Sequence, residues 1–277
     1  MMNYAIRGET IARMAFDASV PNAARIYNYF LGGKDNFAVD REAARKMLAV
    51  LPGTADACLD NRAFLQRAVR FLAGEAGIRQ FLDIGAGLPT MGNVHEVAQE
   101  IAPDARVAYV DYDPVVLSHA RALLATNPNV IVVDGDLRRP EAILADASLQ
   151  ELIDFSQPVA LLLVAVLHFV SDSERPHEVV RALAGALAPG SYLVLAQSTP
   201  DDVPDEVTEA MKSAYTNASA QVTPRPFDEV ARFFAGLELT DPGVVNVTRW
   251  RPDLPPSRPS GAAARQSLVY GGVARKP

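Results

Sequence analysis

Gln80-Phe81-Leu82-Asp83-Ile84-Gly85-Ala86-Gly87-Leu88-Pro89-Thr90 decides the fold. Phe81, Leu82 and Ile84 read as a short buried strand running into two closely spaced glycines. Val94, Val97, Ala98 and Ile101 then recur at helical spacing. Strand, glycine turn and helix is the context that gives a glycine motif meaning. Without Cβ atoms, Gly85 and Gly87 allow a sharp turn and close approach of a ligand to the backbone. The helix behind them would offer unpaired N–H groups. Asp83, two residues before the first glycine, narrows the ligand. A pyrophosphate favours a helix N-terminus free of negative charge, whereas a carboxylate leading into the turn suits a cationic ligand. Thr90 also stands where a G-x-G-x-x-G motif would need its third glycine.

Around this stretch the chain is ordinary for a globular protein: 277 residues, 49% apolar and 21% charged. That length suits one large domain or one domain with a smaller annex. The net charge of −7 argues against a basic nucleic-acid groove. Lysine occurs only at 34, 46, 212 and 276, so arginine supplies most of the positive charge. A single cysteine, Cys58, permits no intramolecular disulfide, and no dense metal-ligand cluster is present. Residues 1–7 lack an apolar signal core. The longest apolar run, 159–170, is broken by His168 and falls short of the ~20 residues of a membrane helix. The expectation is a soluble, cytoplasmic protein.

Residues 1–76 read as a helical preface. Ala23, Ile26, Tyr27, Phe30 and Leu31 share one apolar helix face behind a first-turn Pro21, and Gly32-Gly33 stop it. Asp40 is expected to cap a second helix over 41–51, and a third runs over about 57–72. From Phe81 onward strands alternate with helices: strands at 107–111, 130–133, 159–164 and 192–196, helices at 114–124, 142–152 and 178–187. This alternation predicts βαβ units with right-handed crossovers. The remaining chain adds helices at 205–215 and 228–234. It then carries an extended segment through Asp241-Pro242-Gly243, a proline-rich loop at Pro252, Pro255, Pro256 and Pro259, and a closing strand from Ser267.

The strand ends carry the chemistry. In open α/β sheets ligands bind beyond the carboxyl ends of the strands. Asp111 ends the second strand, Asp136 follows the third, and Ala165 to His168 follow the fourth. A carboxylate can accept from both hydroxyls of a ribose, and an aspartate can accept from an adenine amino group. S-adenosylmethionine, with an ammonium and a sulfonium but no phosphate, fits three acids at three successive strand ends.

In their order and spacing, Asp83-Ile84-Gly85-Ala86-Gly87, Asp111-Tyr112-Asp113-Pro114, Gly135-Asp136-Leu137, Val166-Leu167-His168-Phe169 and Leu187-Ala188-Pro189-Gly190 resemble class I S-adenosylmethionine-dependent methyltransferases. Residues 21–37, from Pro21-Asn22-Ala23 through Gly32-Gly33-Lys34-Asp35-Asn36-Phe37, resemble the signature of an actinobacterial family. It was long a domain of unknown function and has since been named an S-adenosyl methyltransferase family. Asn61-Arg62-Ala63-Phe64-Leu65 and Tyr270-Gly271-Gly272-Val273-Ala274-Arg275-Lys276 fit it too. The resemblance implies a Rossmann-like α/β fold. Its mostly parallel seven-stranded sheet would have an antiparallel C-terminal hairpin and a helical lid over 1–76. The methyltransferase domain would span 77–277, with a cap insertion at about 200–226 shaping an acceptor pocket. It also implies that Asp83, Gly85 and Gly87 face the methionine part of the cofactor, Asp111 the ribose, and Asp136 with Leu137 the adenine. Pro89 departs from the third glycine of many methyltransferases, and the Asn-Pro-Pro-Tyr signature of nucleic-acid amino methyltransferases is absent.

Two readings of the signature helix remain open. In one, Tyr27, Tyr29 and Phe30 only pack it against the sheet. In the other it is a lid, with Tyr27, Asn28, Lys34 and Asp35 facing the cofactor. Ala165 is expected beside the cofactor. His168 is either a solvated or backbone-bonded histidine or a base at the mouth of the acceptor pocket. The expected activity is methyl transfer to a small-molecule acceptor, with Tyr27 and His168 as candidate catalytic residues. A non-catalytic S-adenosylmethionine sensor is the alternative. An NAD-dependent oxidoreductase is disfavoured by Asp83 and Thr90. No nucleic-acid, membrane or metal partner is indicated.

Overall fold

The computed structural model describes residues 19–89, 92–124, 127–215, 218, 220–254 and 267–277. Thr90, Pro255, Pro256 and Pro259 lie outside the described residues, as do residues 1–7. Five parallel strands form the centre of the sheet: β1 (Gln80–Ile84), β2 (Arg106–Asp111), β3 (Val130–Asp134), β4 (Ala160–Val164) and β5 (Tyr192–Ser198). They lie in the order β3-β2-β1-β4-β5, so the order reverses between β1 and β4. All five residues of β1 and the first four of β4 are buried. Their apolar runs reflect helices on both faces. Each fully buried Leu or Val contributes roughly 1.5–3 kcal/mol relative to exposure, so Leu161, Leu162 and Leu163 fix β4 firmly in the middle.

The last strand, β8 (Val269–Arg275), runs antiparallel to β5 along its whole length. Its other edge pairs with two short strands, β6 (Glu238–Leu239) and β7 (Val245–Asn246). The sheet therefore has eight described strands rather than seven. Between β6 and β7, Asp241-Pro242-Gly243 turns away from the ladder: Pro242 has no N–H to give, and Gly243 donates back to the Thr240 carbonyl at 2.8 Å.

Helices cover both faces. On one lie α3 (Thr54–Gly74), α4 (Val94–Ile101) and Ala120 of α5 (Pro114–Leu124). Here Trp250, fully buried, meets Phe64 and Phe71 edge-on at 5.5 and 5.9 Å. Arg67 reaches across from α3, its Nε and Nη2 donating to the carbonyls of Trp250 and Val247 at 2.9 and 2.6 Å. The other face carries α6 (Pro140–Leu144), α7 (Ala147–Leu152), α8 (Pro176–Gly185) and α10 (Phe227–Arg232). The single helix expected at 142–152 is two, because Asp146 caps a new start by accepting from Leu149 N at 2.9 Å.

A third, smaller core joins α1 (Ala23–Phe30), α2 (Ala38–Val50) and the inserted α9 (Asp205–Ala214), through Ile26, Phe30, Ala44, Met47, Met211 and Tyr215. The helical preface is thus divided: α3 belongs to the main sandwich, while α1 and α2 pack with the insertion. Two expected helix starts shift. Asn22, not Pro21, precedes the first turn of α1, its side chain accepting from Arg25 N at 3.1 Å. Asp40 lies inside α2 and reaches back to Phe37 N at 2.8 Å.

Candidate cofactor and acceptor site

A cavity of about 460 Å³ opens beyond the carboxyl ends of β1 to β4, where the strand order reverses. Its floor is the glycine turn. Gly85 has φ +75°, and a Cβ there would stand 2.2 Å from Val166 Cγ2, so the loop after β4 can close down on the turn only over a glycine. Gly87 has φ +67° with nothing within 4 Å of its missing Cβ. That open space belongs to the cavity. The turn is tied down by Gly85 N donating to Val110 O and Gly87 N donating to Asp111 Oδ2, at 2.8 and 2.9 Å.

Two buried carboxylates face this turn. Asp83 is 6% exposed, and among the described residues no hydrogen-bond donor meets its carboxylate. Burial raises its pKa to about 7, against the opposing charge of Arg62. Asp111 accepts from Gly87 N and, at 3.0 Å, from Asp113 N, yet burial still raises it to about 6. Desolvation disfavours the ionised form of both, so a cation beside them would relieve a cost already present. The third acid differs. Asp136 lies in a fork with Arg138, whose Nε and Nη2 donate at 2.8 and 2.7 Å, and its pKa is lowered despite burial. Arg138 also reaches Glu174 at 3.2 Å and lies 5.6 Å from the Tyr112 ring centroid. Leu137 is buried in the same wall. Ala165 lines the cavity in the left-handed region, φ +58°, a strained setting for a residue with a side chain.

The signature helix closes one side. Asn22, Ala23, Ala24 and Tyr27 line the cavity, and Asn22 Nδ2 donates to Asp113 Oδ2. Tyr27 Oη donates to Cys58 O at 3.1 Å and accepts from Asn61 Nδ2 at 3.0 Å. Burial raises the pKa of this phenol, which stays protonated. Asn28, Lys34 and Asp35, expected to face the cofactor, do not line the cavity. Asn28 is buried against its own turn, accepting from Asn36 Nδ2 at 3.0 Å. Lys34 is exposed, and Asp35 is exposed on the side of His119, 3.8 Å away. Their chemistry serves the turn and the surface. Arg62, on α3, was missed as a site residue: it lines the cavity and donates to Gly92 O and Asn93 Oδ1. It stands within the quoted Asn61-Arg62 stretch, but nothing in sequence spacing sets α3 over the glycine turn. Arg138, two residues after Asp136, was equally unmarked.

His168 lies elsewhere. It lines a second, apolar cavity that shares Ala23, Tyr27, Asn61, Ala165 and Phe169 with the first. Burial and the nearby Arg225 charge push its pKa down to about 3, so the ring is neutral and a weak base. Cys58 lines the same cavity, its thiol pKa raised by burial.

Parallel order, glycine turn and successive strand-end acids define a Rossmann-like methyltransferase fold. Residues 9–277 match the model of the S-adenosyl methyltransferase family, and the chain belongs to that family. It is similar to a DUF574 family protein from Streptomyces avermitilis MA-4680, at 40% identity with TM-score 0.88, over 94% of this chain and 99% of that one. It is also similar to a candidate methyltransferase from Thermobifida fusca YX, at 45% identity with TM-score 0.86, over 94% and 96% of the two chains. No curated protein matches it. The protein is an S-adenosylmethionine-dependent methyltransferase, which sets aside the oxidoreductase reading. The residues fit that cofactor. Asp83, 6% exposed, lines the cavity with no hydrogen bond to its carboxylate from the described residues, and open space adjoins Gly87.

Proposed function

We propose that the protein methylates a small-molecule acceptor, with the cofactor in the larger cavity and the acceptor entering from the side of α1 and α9. Asp83 takes the cationic methionine portion, against Gly85 and Gly87. Asp111 takes the ribose hydroxyls, and Asp136 with Leu137 the adenine. Tyr27 and Ala165 flank the passage between the two cavities. The observation that carries the assignment is Asp83, an acid whose ionisation is disfavoured until a cation arrives. When bound, S-adenosylmethionine supplies the methyl group: the acceptor lone pair bonds to the methyl carbon as the sulfur–carbon bond breaks, its electron pair returning to sulfur.

The chain's own contribution is placement and exclusion of water. Holding two reactants in line removes much of the entropic barrier. Neither candidate base suits acid–base work: His168 is a weak base, and the Tyr27 hydroxyl is already committed to Cys58 O. The acceptor therefore attacks with its own lone pair, and any proton it carries passes to solvent after transfer, as the product leaves the pocket. The net charge of −7 supports an acceptor other than nucleic acid. Among the described residues no helix is long and apolar enough to cross a membrane. The test is calorimetric titration with S-adenosylmethionine, S-adenosylhomocysteine and NADH on wild type and Asp111→Ala. Both sulfur ligands should bind wild type and be lost in the variant. A folded, ligand-free wild type that binds neither would end this reading.

A further inference from the structure

The second cavity, about 90 Å³, is walled in part by α1, α2 and α9, of which α1 also borders the nucleoside site. Phe30 comes from α1, Met47 and Leu51 from α2 and its end, and Met211 and Tyr215 from α9 and its end. Among the described residues that line it there is no Asp, Glu, Lys or Arg, and the one histidine, His168, is neutral. Arg225, whose charge acts on His168, is spent elsewhere, donating to Leu167 O, Val170 O and Asp172. A formal charge brought into this space would therefore find no counter-charge.

Three of the lining residues carry buried oxygens without a partner among the described residues: Asn61 Oδ1, Ser198 Oγ and Thr208 Oγ1. Asn61 and Thr208 are more than nine-tenths buried. Buried polar atoms are almost always paired, so three orphans on one small apolar chamber need an explanation. The Asn61 amide is oriented by its N–H donation to Tyr27 Oη, and its oxygen is an acceptor that only a donor can satisfy. Water can satisfy these oxygens in the free protein, and a ligand that displaces it must bring equivalent hydrogen bonds.

We propose that this chamber receives the acceptor end of the substrate: an uncharged body about the size of one ring, carrying at least one O–H or N–H donor. The size follows from the chamber together with its neck. An apolar cavity of about 150 Å³ holds benzene, and this one, smaller, is continued by its shared neck with the larger cavity. The neck residues Tyr27, Asn61, Ala165 and Phe169 face both compartments, so a ring seated inside lies next to the nucleoside site. The assignment deepens the methyltransferase reading and rests on it for the word substrate. The binding site itself does not depend on that reading.

The experiment uses the full chain with phenol and benzoate as matched neutral and charged probes, followed by ligand-observed NMR with and without saturating S-adenosylhomocysteine. Phenol should bind at least about tenfold more tightly than benzoate at pH 7.5. Met211→Trp should fill the chamber and abolish phenol binding while leaving S-adenosylhomocysteine binding unchanged. Thr208→Val, a nearly isosteric change, should weaken phenol about fivefold and keeps the test decisive if Met211→Trp fails to fold. Equal binding of benzoate, phenol binding untouched by these substitutions, or no phenol binding to protein that holds S-adenosylhomocysteine would overturn the proposal. Phenol binding that responds to the substitutions in protein that does not bind S-adenosylhomocysteine would uphold the chamber and sink the methyltransferase reading instead.

Discussion

Asp83 is the residue at which binding and stability oppose one another. Its carboxyl has a pKa near 3.9 in an unfolded chain and about 7 in the fold. Between those values the folded state holds the extra proton, so this group's contribution to stability falls as pH rises and is gone above about pH 7. Asp111, raised to about 6, acts in the same direction over a narrower window. Asp83→Asn should therefore raise the melting temperature of the ligand-free protein at pH 8, at roughly 2–4 °C per kcal/mol regained. Little difference should remain near pH 4. The same variant should lose S-adenosylmethionine binding, and wild-type affinity should weaken as pH falls from 8 towards 5.5. A variant melting below wild type at pH 8 would contradict this account. The residue was legible in sequence because an acid beside a glycine turn is a local pattern. Its lack of a partner was not, since that depends on how β2 and α3 close around it.

At the scale of elements, the polar residues of the signature segment mostly attach helices to one another. Asp40, fully buried, accepts from Asn22 N, Arg25 Nε and Phe37 N at 2.9, 2.7 and 2.8 Å. Arg25, 2% exposed, adds a bond to Val20 O at 2.6 Å. Removing one member of a buried ion pair costs about 3–5 kcal/mol, whereas replacing both by apolar groups is often tolerated. Asp40→Asn should lower unfolding stability by about 3 kcal/mol in urea titration, and Arg25→Met with Asp40→Leu should recover most of it. An Asp40→Asn midpoint equal to wild type would mean the pair is not what holds α1. Sequence periodicity found α1 and α2 because each has one apolar face. It left Asn28, Lys34 and Asp35 as candidates for the cofactor because spacing cannot distinguish a polar residue facing a ligand from one bracing a turn or lying on the surface. The same limit joined α6 to α7 across Asp146, and it passed over Arg62 and Arg138, whose roles arise only from neighbours distant in sequence.

At the scale of the whole molecule, the described residues form one sheet sandwich with a small separate core of α1, α2 and α9. Fewer buried apolar groups support that small core, so it should open before the sheet does. Hydrogen exchange should be faster in α1, α2 and α9 than in β1, β4 and α3, and should slow there when cofactor and a chamber ligand are both present. Equal protection across the two cores would refute this. The parallel half of the sheet was legible because buried strands alternate with helices. That two short strands, β6 and β7, sit on the outer edge of β8 was not, because two-residue ladders leave almost no pattern. The position of β8 bears on synthesis as well. Every residue of β5 pairs with β8, which follows the other described strands in the chain and lies between β5 and the β6–β7 edge. On the ribosome, the nascent sheet presents β5 as a bare edge until residues 269–275 emerge. An unpaired edge recruits other chains, so the interval between the translation of β5 and of β8 is when this protein most needs a chaperone.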